Sequence, residues 1–267
     1  MSGLQFFFIY IISLTLLSCN NTNNNNEVTN DPSLINDEKQ LRTLISQYPD
    51  SLLLRENLVQ YFRDNSNYGQ AIAETDSILK LDSTNTRFLE IKAVLFFEND
   101  DTLNAIKTFE KAILINAQPE YIIPLGTLYA QTKNKKALAM ADTLLHAPAA
   151  NYKKQAFYIR GLYYSYVGEK VKALAFFNNC LKLDYRDMPA YREKAICLYD
   201  LHKYSSAVDV LKQALTVQNT FDEGYYWLGR CYEKLDKRKE AIESYQFALQ
   251  FDPNYLEAKE ALDKLNN

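Results

Sequence analysis

An all-α fold of about six stacked helix-turn-helix units, closed by capping helices, is what the 267-residue sequence predicts. Three observations carry the prediction. Small or compact residues recur at Val59, Ala93, Gly126, Gly161, Ala195 and Gly229, in steps of 34, 33, 35, 34 and 34. About twelve residues later a second column is alanine in every unit, at Ala71, Ala105, Ala137, Ala173, Ala207 and Ala241. Glycine and proline number only seven each and are thinly spread, which disfavours loop-rich or sandwich folds and favours long helices.

Two more columns complete the unit. Long aliphatic residues stand eight positions beyond each alanine, at Leu79, Ile113, Leu145, Leu181, Leu215 and Leu249. Large residues stand three positions after each small one, at Phe62, Phe96, Tyr129, Tyr164, Leu198 and Tyr232. This is a packing code for two antiparallel helices. The small residue lets the second helix approach, the alanine fits against it, and the large side chains fill the space between units. Polar breaks such as Asp64-Asn65-Ser66-Asn67, Asn99-Asp100-Asp101 and Asp236-Lys237 mark the inner turns, and Asp82, Asp184 and Asp252 close second helices.

The order of small, aromatic, alanine and proline positions resembles the tetratricopeptide repeat family over residues 52–255. The last unit carries it best, through Leu228-Gly229, Tyr232, Ala241, Tyr245, Ala248 and Asp252-Pro253. The resemblance implies a right-handed superhelical solenoid, a role in protein binding rather than catalysis, and a concave groove lined by the first helices. Six repeats are expected over residues 52–254. The ends should be a half-repeat helix within residues 33–51 and an amphipathic capping helix within residues 255–267, since a solenoid must end in faces that tolerate water. The third unit departs from the pattern. Its inner turn is one residue short, its exit is lengthened at Ala147-Pro148-Ala149-Ala150, and it contains Pro119 and Pro124. Proline inside a helix costs about 3 kcal/mol, so Pro124 is expected in the first turn or at a kink, and the unit as a hinge between two halves.

The N-terminus is a separate case. Residues 4–17 are almost wholly apolar, but fourteen residues fall short of the roughly 20 that span a hydrocarbon core, and an export segment fits better. The run ends at Leu16-Leu17-Ser18-Cys19, which resembles the lipobox of bacterial lipoproteins. That resemblance implies a signal peptide over residues 1–18 and diacylation of Cys19. The run lacks a basic residue near Met1, and Leu17 is bulkier than usual there, so an ordinary secretory peptide or an uncleaved anchor is the alternative. The Asn-rich residues 19–32 read as a flexible tether. Asn20, in place of the aspartate that commonly retains such proteins at the inner membrane, points to the outer one.

Charge and chemistry narrow the partners. Thirty Lys and Arg against 33 Asp and Glu give a net charge of -3, without the positive field that nucleic acid demands. The only histidines, His146 and His202, lie in different units with no ligand at metal spacing, and there is no glycine-rich phosphate loop. No cofactor or metal is expected. Cys197 and Cys231 stand one repeat apart, beyond the ~7 Å reach of a disulfide, while a Cys180 to Cys197 bridge is geometrically conceivable. Cys180 otherwise reads as a small core residue.

On the face of the first helices left free by the packing columns, the N-terminal units carry Glu56, Gln60, Arg63, Glu90, Val94 and Phe97. The later units carry Tyr158, Leu162, Tyr166, Arg192, Tyr199, Tyr226 and Arg230. Tyrosine and arginine are enriched at binding hot spots, so this second set is the candidate site for gripping a partner segment, with packing against neighbouring helices as the alternative for several of them. The first helices carry no Lys and Asn four residues apart, the pair that clamps cytosolic chaperone tails. The expected function is a lipid-anchored scaffold for proteins of the cell envelope. Alternatives are a fixed subunit of an envelope machine, which should show a large apolar patch, and a periplasmic enzyme, which should show a polar pocket.

Overall fold

A computed structural model describes residues 37–147 and 152–266. Among these residues every regular element is a helix, and the helices group into two compact units that meet in sequence at Ala117 and Gln118. The first unit holds α1 (Glu38–Gln47), α2 (Leu52–Asp64), α3 (Tyr68–Leu81), α4 (Thr86–Glu98) and α5 (Thr102–Ile115). The second begins with α6 (Pro119–Gln131), α7 (Lys136–Leu145), α8 (Lys153–Tyr166), α9 (Lys170–Leu183) and α10 (Met188–Asp200). It ends with α11 (Tyr204–Val217), α12 (Asp222–Lys234), α13 (Arg238–Phe251) and α14 (Leu256–Asn266). The even-numbered helices from α2 to α12 are the first helices of six helical hairpins. The residues of the expected signal peptide, Cys19 and the Asn-rich tether lie outside the described residues.

Helix ends follow from local chemistry. The side chains of Ser51, Asn67, Asn85, Asp101 and Asp187 each accept a hydrogen bond from a backbone N–H three residues on, which satisfies a donor the helix itself cannot. Such caps contribute about 1 kcal/mol each. Inside every hairpin the first helix stops on a left-handed residue: Ser66, Asp100, Lys133, Gly168, His202 and Asp236 all have positive φ. They repeat the spacing of the small-residue column. In five hairpins the N–H after this residue reaches back to the carbonyl of Phe62, Phe96, Tyr129, Leu198 or Tyr232, closing a Schellman turn. The large-residue column thus also supplies the turn acceptors.

All six alanines of the second column are fully buried. What presses on the small column is a ring from the paired helix. A Cβ on Gly161 would stand 2.6 Å from the ring of Phe177, and one on Gly229 would stand 2.6 Å from the ring of Tyr245. The alanine lies one turn earlier on the same helix, and the side chain nearest each of these two glycines is the ring four positions beyond it. Gly126 differs: its neighbours are Ile159 of the next hairpin and Met140.

The third hairpin corrects one expectation. Pro119 takes the first position of α6, while Pro124 lies inside the helix and is buried rather than in its first turn. Its missing N–H leaves the Glu120 carbonyl without the usual bond, and the apolar packing of Leu125, Leu128 and Tyr129 holds the segment helical. At the C-terminus α14 buries Ala258 and lays Ala261, Leu262 and Leu265 against the core while its charged face stays exposed.

Candidate partner-binding face

Within the second unit, α6, α8, α10 and α12 pack successively against one another, and each of α7, α9 and α11 packs on the first helix of its own and of the following hairpin. The first helices therefore form a layer, and equivalent positions 34 residues apart sit side by side: Tyr158, Arg192 and Tyr226; Leu162, Ile196 and Arg230; Ser165, Tyr199 and Glu233.

The layer's first centre is a sealed ionic network. Arg192, only 7% exposed, pairs through Nη1 with Glu223 at the head of α12, and its Nε donates 3.2 Å to Glu193. Glu193 is 3% exposed, and burial pushes its carboxyl above the ordinary range against the pull of Arg192. Burial, followed by the Glu193 charge, pushes the Tyr158 phenol up. Tyr166 is pushed up to about 12, by burial and then by Glu193. Two neighbouring lysines tie this region together. Lys154 Nζ reaches Asp184 at 2.9 Å and Asp187 at 3.4 Å, and Lys170 Nζ reaches Asp200 at 2.6 Å. The hydrogen bond from Lys154, with the Arg186 N–H, holds the Asp184 carboxyl below its usual range.

The second centre is aromatic. Arg230 donates from Nη1 to the Tyr226 hydroxyl at 2.8 Å and from Nη2 to the Tyr199 hydroxyl at 3.5 Å. Its guanidinium lies 5.6 Å from the ring centre of Tyr199, 5.8 Å from that of Tyr226 and 5.7 Å from that of Trp227. Tyr226 is itself packed 5.0 Å from Tyr255 and 5.9 Å from Tyr245. The Tyr245 hydroxyl donates to Glu233, which fixes the acid that stands one turn after Arg230.

The sequence-derived set therefore separates. Tyr199, Tyr226 and Arg230 meet in one cluster, while Tyr158, Tyr166 and Arg192 meet in the other. Leu162 is fully buried and Arg192 nearly so, which corrects their placement on an open surface: Leu162 is core, and Arg192 is consumed by two carboxylates. Trp227, Glu193, Glu223 and Tyr255 were not singled out in the sequence. Glu193 had a signal, because its column otherwise holds Asn57, Ile91, Pro124, Ile159 and Trp227, so an acid there faces a largely apolar surrounding.

The first unit's layer is different in kind. Arg63 pairs with Glu98, and Arg87 with Glu56 at 2.6 Å, so its face is a ladder of partly exposed ion pairs around Gln60 and Val94. Cys180, Cys197 and Cys231 are buried free thiols, so the conceivable bridge between Cys180 and Cys197 is not made. Cys197 Sγ lies 3.4 Å from Ser165 Oγ and Cys180 Sγ 3.5 Å from the Lys154 carbonyl. Among the described residues no three His, Cys, Asp or Glu side chains gather as a metal site, and no helix is long and apolar enough to cross a membrane.

Residues 223–255 match the family model described as Tetratricopeptide repeat. The chain superimposes on a tetratricopeptide repeat protein from Parabacteroides merdae with a TM-score of 0.73 at 22% identity, covering 86% of this chain and 91% of that one. It superimposes on PilW, a widely conserved type IV pilus biogenesis factor, with a TM-score of 0.63 at 19% identity, covering 80% of this chain and 97% of that one. These likenesses establish the helical-repeat fold. Among curated proteins, Stress-induced-phosphoprotein 1 of Caenorhabditis elegans is 24% identical over 167 residues, 62% of this chain and 50% of that protein. Tetratricopeptide repeat protein 1 of Schizosaccharomyces pombe is 25% identical over 183 residues, 62% of this chain and 17% of that protein. The chain thus spans half or less of the length of these curated relatives.

Proposed function

We propose that this chain is a lipoprotein of the bacterial cell envelope, acylated at Cys19 and anchored in the outer membrane, whose first-helix layer binds segments of partner proteins. The observation that carries the binding role is the cluster of Tyr199, Tyr226, Trp227 and Arg230, an aromatic and cationic group on the first-helix layer of the second unit in which all but Tyr226 are partly exposed. The partly exposed rings of Tyr199 and Trp227 beside a guanidinium match the composition of binding hot spots, while Tyr226 anchors the group to the core. The repeat architecture supports the same role, since stacked helical hairpins present long faces suited to other chains. The apolar run closed by Leu16-Leu17-Ser18-Cys19 supports the anchor, and residues 19–32 would give the folded part reach.

A second reading, a fixed subunit of one envelope assembly, draws on another patch. Tyr225 stacks on Phe247 and Phe251, which are 44% and 37% exposed. One experiment addresses both. The tagged chain is crosslinked in its own cells and co-purifying proteins are identified by mass spectrometry, alongside Cys19→Ala and a Tyr199→Ala/Arg230→Glu pair. The scaffold reading expects partners lost in the double variant. Retention of every partner by a folded double variant overturns the face assignment, and partners lost only when Phe247 and Phe251 are replaced favour the fixed subunit. Unchanged membrane association of Cys19→Ala overturns the anchor.

A further inference from the structure

Five cations near the first-helix layer are partnered by carboxylates. Arg63 has Glu98, Arg87 has Glu56, Lys154 has Asp184, Lys170 has Asp200 and Arg192 has Glu193 and Glu223. Arg230 instead donates to two phenols, Tyr226 and Tyr199. A guanidinium carries five N–H donors, so three of them have no acceptor among the described residues. The nearest acid on its own helix, Glu233, is engaged by Tyr245. Burial works against the Arg230 charge, but the phenols of Tyr226 and Tyr199 outweigh it and keep the group cationic. A half-buried, permanently charged fork with spare donors and no counter-ion is preorganised for an anion. A carboxylate complements it in both charge and geometry.

We infer that Arg230, walled by Tyr199, Tyr226 and Trp227, is the receptor for the side-chain carboxylate of an aspartate or glutamate in an extended segment of a partner protein. This rests on the reading of the layer as a protein-binding face and names the chemistry that face selects. A side chain fits better than a chain terminus because two partly exposed rings, Tyr199 from α10 and Trp227 from α12, border the guanidinium and stand 5.6 Å from each other. A segment that places its acid on Arg230 can lay neighbouring residues over both rings, and a chain that continues past the acid does so with more residues than one that ends there.

Trp227 is the chain's single tryptophan, so its emission reports on this site directly. The full chain in detergent is titrated with three pools of hexapeptides, degenerate at five positions: end-blocked with a central Glu, end-blocked with a central Gln, and the Gln pool with a free carboxyl terminus. The Glu pool should bind roughly tenfold more tightly than the blocked Gln pool, as a charge-assisted hydrogen-bond pair implies. That gap should vanish in Arg230→Gln while the affinity for the Gln pool is kept. Arg230→Lys, which keeps the charge but loses the fork, should retain part of the gap and guards against a folding defect in the first variant. Equal binding of the Glu and Gln pools, a gap that survives Arg230→Gln, or a gain confined to the free-terminus pool each overturns the proposal and leaves the broader binding role standing. Failure of every pool, with partners still captured in cells, overturns the carboxylate site alone, whereas loss of captured partners themselves would sink the wider reading.

Discussion

Replacing Arg192 with methionine keeps most of the side chain's apolar stem and deletes its charge, so it asks what the buried network contributes. Glu223 is about one-fifth exposed as a side chain and can return to water, whereas the Glu193 side chain is only 4% exposed and cannot. The protein then has two routes. Keeping Glu193 ionised without its partner costs about 3–5 kcal/mol. Protonating it costs about 1.4 kcal/mol for each pH unit above the ordinary glutamate value of 4.5, or about 4 kcal/mol at pH 7.5. Both routes predict a loss of roughly 3–4 kcal/mol at pH 7.5.

The pH dependence separates this account from a mere packing defect. A carboxyl raised in the folded state makes the native protein bind more protons than the unfolded chain. Its favourable share is complete below 4.5 and is lost as pH rises through the folded value. At pH 5.5 the protonation route costs only about 1.4 kcal/mol, so the penalty of Arg192→Met should shrink by about 2 kcal/mol or more between pH 7.5 and 5.5. Asp82 and Asp184, whose carboxyls are held low by hydrogen bonds, lose stability as pH falls, but they do so equally in both proteins and cancel in the difference. Urea unfolding followed by far-ultraviolet circular dichroism at the two pH values measures this, with Arg192→Met/Glu193→Leu expected to recover most of the loss. A penalty under about 1 kcal/mol that is flat with pH would refute the sealed network, since no other named group ties that much stability to one proton.

Two further outcomes follow from the packing. Gly161→Ala should destabilise by about 1 kcal/mol, because overpacking against the fully buried Phe177 ring exceeds the helix propensity gained, whereas Gly69→Ala, with nothing within 4 Å of the new Cβ, should stabilise by up to about 1 kcal/mol. Equal signs in urea titrations would contradict the ring-on-glycine contact. Burial pushes the thiols of Cys180, Cys197 and Cys231 up to about 12, 11 and 12, so a maleimide at pH 7.5 should leave all three unlabelled in the folded protein and label them in urea, as read by mass spectrometry.

The fold was legible because period and size are properties of single columns. A step of 34 with alanine at every second-helix position admits few architectures, and the six buried alanines satisfy it. The partner across each contact was less legible. Nothing in the spacing says that the Phe177 ring stands nearest Gly161, since that depends on where the side chain leans along its helix. That Pro124 lies inside its helix rather than in the first turn has a similar reason: local propensity weighs against a proline there, but the burial of its neighbours prevails. For the candidate face, periodicity found the correct helices and several of the correct rings. It could not show which arginine is spent, because Glu223 comes from another helix, 31 residues on.

The two arginines show how a repeat can build structure and selectivity from one residue type. Arg192 sits beside Glu193 and beneath Glu223, so its charge is cancelled inside the protein, and its replacement should move stability more than partner choice. Arg230 sits one turn after Tyr226 and one repeat after Ile196, where the neighbouring column offers Trp227 in place of an acid. Phenols can orient a guanidinium without neutralising it, so its charge stays available to a ligand. The residue at the Glu193 and Trp227 position therefore decides which role an arginine on this face takes. Trp227→Glu should bring a carboxylate to Arg230 from within the chain, compete with an acidic segment, and weaken its binding while leaving the helical hairpins intact.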